Sequence, residues 1–301
     1  MLGQGTYAVV YKDGQTAIKV ARKGDYWIYL AKEVIVLKGL SHPSVIRLAD
    51  VLMRDESLAF SMEVYDCALF QKMDNLSSRD FAMLMADVCS GLAYIHSAGI
   101  VHCDVNPANI LVKSDRAALC DFGMARTYPS KEKSEITTPR YRAPEVRFDE
   151  QWGCAIDVWA VGICILEFLC GYYNRNIGTV TDEGANTCYG AMFRPLLVGS
   201  DPRKIPFKDL AAHFGKVFYM DWPLATIFCR CAGEKRPDAV EIHKELCLFA
   251  GRSPSITLAS EPFSYNWLRG DRKRLQFILQ DFSTDPQDPD VSQSEVFHAL
   301  A

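Results

Sequence analysis

The chain has 301 residues, of which 49% are hydrophobic and 23% charged, enough apolar material for one large or two modest cores. A formal net charge of -4 and a pI near 5.9 supply no broad basic field, which argues against nucleic acid or an anionic membrane surface as a partner. The eleven cysteines are odd in number and scattered through apolar stretches such as those at Cys164 and Cys170. Reduced core thiols are therefore expected, and the CxC pair Cys229 and Cys231 is assigned no metal.

Tyr7 to Tyr11 and Thr16 to Val20 are short β-type runs joined by the turn Asp13-Gly14, which predicts a hairpin. Tyr26 to Leu40 places Ile28, Leu30, Val34, Leu37 and Leu40 at helical spacing and stops at Ser41-His42-Pro43. Two further strands are expected over Val45 to Leu52 and Ser57 to Val64, followed by a connector from Tyr65 to Ala68. Beyond it the pattern turns helical. Ser78 to His96 sets Phe81, Leu84, Val88, Leu92 and Ile95 on one side, and further helices are expected over 155–170 and much of 205–250. The longest apolar stretch, Ala155 to Gly171, is broken by Asp157 and Glu167 and is too short for a bilayer, so a buried helix is expected there. Asn174 to Ser200 lacks periodicity and predicts an irregular insertion. Past Gly251, a tail carries one candidate amphipathic helix, Trp267 to Phe282, whose basic cluster Arg269, Arg272, Lys273 and Arg274 is expected to be a solvated face. A final Asp/Pro/Ser/Gln stretch is expected to be disordered. No signal-type segment precedes the first motif, so a cytoplasmic or nuclear location is expected.

Chemistry concentrates at three places. Gly3-Gln4-Gly5-Thr6-Tyr7-Ala8-Val9-Val10 sits on a strand-turn-strand, where glycines let backbone N–H groups approach phosphate oxygens. Thr16-Ala17-Ile18-Lys19 then puts a lysine on the next strand among hydrophobic neighbours, and Glu33 is the acid in the middle of the following helix that can pair with it. Downstream, His102-Cys103-Asp104-Val105-Asn106-Pro107-Ala108-Asn109 and Asp121-Phe122-Gly123 flank the strand-like Ile110-Leu111-Val112 and Ala117 to Cys120. Phosphoryl transfer needs a carboxylate to orient the attacking hydroxyl and oxygen ligands for Mg²⁺; Asp104, Asn109 and Asp121 are of those types.

In this order the motifs resemble the eukaryotic-type protein kinase family, Ser/Thr kinase-like, from about Leu2 to Phe249. The resemblance implies an α+β bilobal fold, with a β-rich N-lobe of about 1–64 holding one main helix, a mostly helical C-lobe of about 66–249 and a tail over 250–301. It implies ATP and Mg²⁺: Asp104 as catalytic aspartate, Asn109 and Asp121 as metal ligands, and Lys19 with Glu33 on the α- and β-phosphates. Leu2, Gly3, Gly5, Ala8, Val10, Ala17, Glu63, Tyr65 and Leu111 would line the nucleotide, with Met62 at the gatekeeper position. Ala143-Pro144-Glu145 matches the family's APE motif, Arg236 the partner of Glu145, and Asp157 the aspartate that holds the catalytic-loop backbone. Protein substrates with Ser/Thr acceptors follow from Pro107 and Thr138; a regulatory partner is left open.

Three positions depart from the family pattern. Cys103 replaces the arginine that couples activity to a phosphorylated activation segment, so Met124 to Thr137 is expected to order without phosphate, with Ser134 and Thr137 as possible acceptors. Asn106 replaces a lysine that contacts the transferring phosphate, and Ala8 replaces the third glycine. DFGMAR and YRAPE resemble the branch of cyclin-dependent and mitogen-activated kinases, in which Arg142 would bias substrates toward a following proline. The alternative is a nucleotide-binding pseudokinase acting as scaffold or regulator; retention of Lys19, Asp104, Asn109 and Asp121 favours the enzyme.

Overall fold

Register along the first strands follows a hairpin turn one residue later than expected: Asp13 pairs with Thr16 and the turn is Gly14-Gln15, with Gly14 at φ +57°. In the computed structural model, which describes residues 1–5, 7–22, 27–54, 57–128, 137–147, 150–177, 209, 221–233 and 235–263, the chain divides into two compact units. The first contains Met1–Ser41, Ile46–Val64 and, among described residues, 261–263; the second contains His42–Val45 and Tyr65–Ser260.

The first unit is an antiparallel sheet of order β1-β2-β3-β5-β4, with β1 Gly3–Gln4, β2 Ala8–Asp13, β3 Thr16–Ala21, β4 Leu48–Arg54 and β5 Ser57–Glu63. Helix α1, Trp27–Lys38, joins β3 to β4. Val10 pairs with Lys19, and Ala17 with Met62, so these four side chains project from one face by the two-residue period of strands. Leu30, Val34, Ile35 and Leu37 of α1 are each under 3% exposed and form the core with Phe60. Phe263 lies against Gly39, just past α1, where a Cβ would come within 2.5 Å of its ring.

The second unit is mainly helical. A small sheet of order β6-β8-β9 joins Cys67–Ala68, Ile110–Lys113 and Arg116–Leu119, and β7 Ile100–Val101 pairs with β10 Arg126–Thr127. Around them lie α2 Leu69–Lys72, α3 Ser78–Ser97, α4 Pro144–Arg147, α5 Ala155–Ile177, α6 Trp222–Ala232 and α7 Ala239–Ala250. Ser77 caps α3 by accepting the Asp80 N–H, and Asp238 caps α7 by accepting that of Glu241. Phe81 of α3 stacks on Phe168 of α5 at 4.0 Å, both fully buried. The ten cysteines among the described residues are free thiols, and no group of His, Cys, Asp or Glu among them is arranged to hold a metal. No helix of the described residues is long and apolar enough to cross a membrane.

Helix α5 runs to Ile177, past the expected irregular start at Asn174, because no proline or glycine interrupts Tyr172 to Ile177. The fourth strand begins at Leu48 rather than Val45. Val45 instead bridges Leu119 in parallel, and the Ser44 carbonyl accepts the Leu119 N–H at 2.9 Å. Gly91 of α3 permits this approach, since a Cβ there would lie 2.6 Å from the Ser44 oxygen. Residues 252–259 are tied to the same unit: Arg252 pairs with the buried Asp87, Ser255 N–H donates to His243, and Ala259 N–H donates to Ser97 Oγ. The remaining tail, with the candidate helix Trp267 to Phe282 and its basic cluster, lies outside the described residues, as do 178–208 and 129–136.

Candidate active site

The sheet unit brings together the glycine loop, Lys19 and Glu33. Lys19 Nζ donates to Glu33 Oε2 at 2.6 Å, with the two side chains 12% and 2% exposed. Burial of both charges requires this pairing, since a lone charge in that setting costs several kcal/mol. The loop is closed by Gly5 N–H donating to the Ala8 carbonyl at 2.9 Å and Leu2 N–H to that of Val10 at 2.8 Å. A Cβ at Gly3 would meet nothing within 4 Å, and one at Gly5 only the Ala8 oxygen at 3.7 Å. Packing among the described residues thus leaves open the space that side chains there would fill. Ala8 and Ala17 are buried, Val10 is half-buried, and Leu2 and Glu63 are exposed.

The helical unit brings together Asp104, Asn109 and Asp121. Their loop is held from below by Asp157 of α5, 1% exposed, whose Oδ2 accepts His102 N–H at 2.8 Å and His96 Nε2–H at 2.9 Å, and whose Oδ1 accepts Cys103 N–H at 3.0 Å. Cys103 stands at φ +65°, a strained value for a residue with a Cβ, so this hydrogen bond fixes the turn that presents Asp104. His102, fully buried, donates from Nε2 to the Cys120 carbonyl at 3.0 Å and accepts Asp104 N–H on Nδ1 at 3.2 Å, which sets its tautomer. It also meets the Phe122 ring edge-on at 4.7 Å.

Asp104 is the hub. Its Oδ1 accepts both the N–H and the hydroxyl of Thr138, at 2.8 and 2.7 Å, while Oδ2 accepts Asn109 Nδ2–H at 2.8 Å. Asn109 Nδ2 also donates to the Asp104 carbonyl at 2.9 Å, so its amide nitrogen is turned toward Asp104. Asp121 is half-buried with φ +63° and ψ 72°, immediately before the buried Phe122. Leu111 lies on β8 and Tyr65 just before β6, both half-buried.

The family model for the protein kinase domain matches residues 1–190. Cyclin-dependent kinase F-3 of Oryza sativa subsp. japonica is 32% identical across 95% of this chain and 72% of that protein. Mitogen-activated protein kinase 12 of Homo sapiens is 33% identical across 56% of this chain and 52% of its own length. The probable serine/threonine-protein kinase fhkE of Dictyostelium discoideum is 31% identical across 57% of this chain. The chain spans 28% of that relative's length and 16% of the length of serine/threonine-protein kinase dkf-2 of Caenorhabditis briggsae. The chain belongs to the protein kinase family.

The chain has the α+β bilobal fold of a eukaryotic-type protein kinase, a family of transferases that use ATP. Two of its departures have visible consequences. The kinase's Cys103 thiol is wholly buried and donates to the Val101 carbonyl at 3.6 Å, and burial, with Asp157 nearby, pushes its pKa well up, so it stays neutral. Arg126 spends Nη1 on the Met124 and Ala125 carbonyls, both at 3.0 Å. Asn106 bonds the Asp104 carbonyl through Nδ2 and the Ala108 N–H through Oδ1, closing the loop locally without adding a charge.

Sequence motifs point to Asp104, Asn109, Asp121, Lys19 and Glu33, but not to how Thr138 engages Asp104 from 34 residues away. Nor do they show Thr137 at φ +69°, with its carbonyl taken by Arg142 Nη2 at 3.0 Å and its hydroxyl by Nε at 3.2 Å. The APE glutamate, Glu145, pairs with both ends of the Arg236 guanidinium, which also lies 4.9 Å over the Trp159 ring.

Proposed function

We propose that this kinase is active and transfers the γ-phosphoryl group of ATP to a Ser or Thr hydroxyl of a protein substrate. The observation that carries the reading is the hydrogen-bond set of Asp104. A carboxylate offers about four lone-pair sites. Thr138 and Asn109 occupy three of them, which aims the carboxylate and leaves one acceptor for the substrate hydroxyl. Asp104 thus orients that oxygen for in-line attack and accepts its proton, the work being mainly positioning.

Asp121 and Asn109 suit Mg²⁺, because both offer hard oxygen ligands and Asn109 has its nitrogen turned to Asp104. When bound, Mg²⁺ supplies charge neutralisation at the phosphate oxygens. Lys19, fixed by Glu33, holds the α- and β-phosphate oxygens, and the space beside Gly3 and Gly5 admits phosphate against backbone N–H groups. In this reading Leu2, Val10, Ala17 and the backbone of Glu63, all on the sheet unit, contact the adenine.

Arg142 sets the residue after the acceptor. With the Thr137 carbonyl turned to Arg142, a substrate N–H at that point finds no acceptor, whereas proline has none to satisfy. The test is transfer of labelled γ-phosphate from Mg-ATP to Ser-Pro and Ser-Ala peptides, by the native chain and Asp104→Asn. Label on the Ser-Pro peptide from the native chain, falling at least about a hundredfold in Asp104→Asn, supports the reading. ATP bound without transfer from either would make the chain a nucleotide-binding scaffold, a role consistent with the missing charge at Asn106.

A further inference from the structure

The glycine loop is fastened by contacts that its own backbone turn does not require. Arg22, just past β3, donates from Nε to the Gly5 carbonyl and from its backbone N–H to the Tyr7 carbonyl, both at 3.0 Å. The Tyr7 ring stacks on the Tyr29 ring of α1, with centroids 4.2 Å apart and planes 22° from parallel. Tyr29 precedes Glu33 by four residues, which places both on one face of the helix a single turn apart. One turn of α1 therefore holds Lys19 through Glu33 and the loop through Tyr29.

We propose that Tyr29 is a positioning residue for the nucleotide's phosphates: stacked on Tyr7, it fixes the glycine loop to the helix turn that also orients Lys19. This rests on the preceding assignment of the loop and Lys19 to ATP. The loop's approach to the phosphates is then preset before nucleotide arrives, so less ordering entropy is lost on binding. Removing the ring frees the loop while the Lys19–Glu33 pair stays intact. Adenosine, which lacks phosphates, gains nothing from the clip.

The experiment is calorimetric titration of the full chain with ATP and, separately, with adenosine. Tyr29→Ala is expected to weaken ATP by roughly three- to tenfold, the range an aromatic pair contributes, with adenosine unchanged and Tyr29→Phe equal to the native chain. Tyr7→Ala, which cuts the stack from the other side, should give the same loss, and the double variant no more than either single one. Unchanged ATP affinity in both single variants, or equal losses for ATP and adenosine, overturns the proposal. A native chain that binds neither ligand instead overturns the nucleotide assignment, and this inference with it.

Discussion

Replacing Asp157 by alanine removes the acceptor for two buried backbone donors, His102 N–H and Cys103 N–H, and for the His96 ring. A buried donor left without a partner costs about 1–3 kcal/mol, so the two backbone groups together predict a loss of about 2–6 kcal/mol. That is a large share of the roughly 5–15 kcal/mol that holds a typical domain folded. Asp157→Asn keeps one acceptor oxygen but sets an NH₂ donor against the second N–H, so it should fall between the native chain and Asp157→Ala. Urea titration followed by tryptophan fluorescence measures the loss as the shift in midpoint multiplied by the slope. The strained φ of Cys103 adds a kinetic signature: once its N–H is released the turn relaxes, and phosphotransfer should fall even where most molecules remain folded. A change in stability under about 1 kcal/mol in Asp157→Ala, at unchanged slope, would refute the reasoning.

Two further outcomes are expected. Ser134→Ala should leave phosphotransfer within about threefold of native, because a buried Cys103 thiol offers no cation to a phosphate; a loss beyond about tenfold, near 1.4 kcal/mol, would contradict this. Stability should fall as pH rises above 9. Burial pushes Cys229 and Cys231 up to about 12, so the unfolded chain releases their protons first and binds fewer. Stability is then complete below pH 9 and declines progressively as pH climbs toward 12. Denaturant titrations at pH 8 and 10 with equal midpoints would show that the thiols ionise alike in both states.

Local signals carried much of this structure. The hairpin turn at Gly14, the spacing of Phe81, Leu84 and Val88, and the Lys19–Glu33 pair each depend on neighbours in sequence or on one helix and one strand. Of the contacts that depend on how the chain returns on itself, the family motifs marked Glu145 with Arg236 and the hold of Asp157 on the catalytic turn, while others left no trace. Thr138 meets Asp104 because a distant loop crosses the catalytic turn, and nothing in its own surroundings encodes that. Asp87 resembles any polar residue on α3, yet it is 1% exposed and accepts from Arg116, the Ala117 N–H and Arg252, since two segments far apart in sequence converge on it. Cys103, Asp121 and Thr137 all have positive φ without being glycine; their strain is held by surrounding bonds, which composition does not record.

Ser44 and Val45 give the helical unit a piece of chain that precedes the sheet's last two strands. On a growing polypeptide these residues emerge early and must wait for Gly91 and Leu119 before their bonds can form. A fragment cut at residue 65 would start without them, leaving the Leu119 N–H, two positions before Asp121, short of its acceptor and the notch at Gly91 bare. The boundary between the units is thus interleaved along the chain, and dissecting this kinase into separately produced halves would unseat a metal-ligand candidate from the N-terminal side.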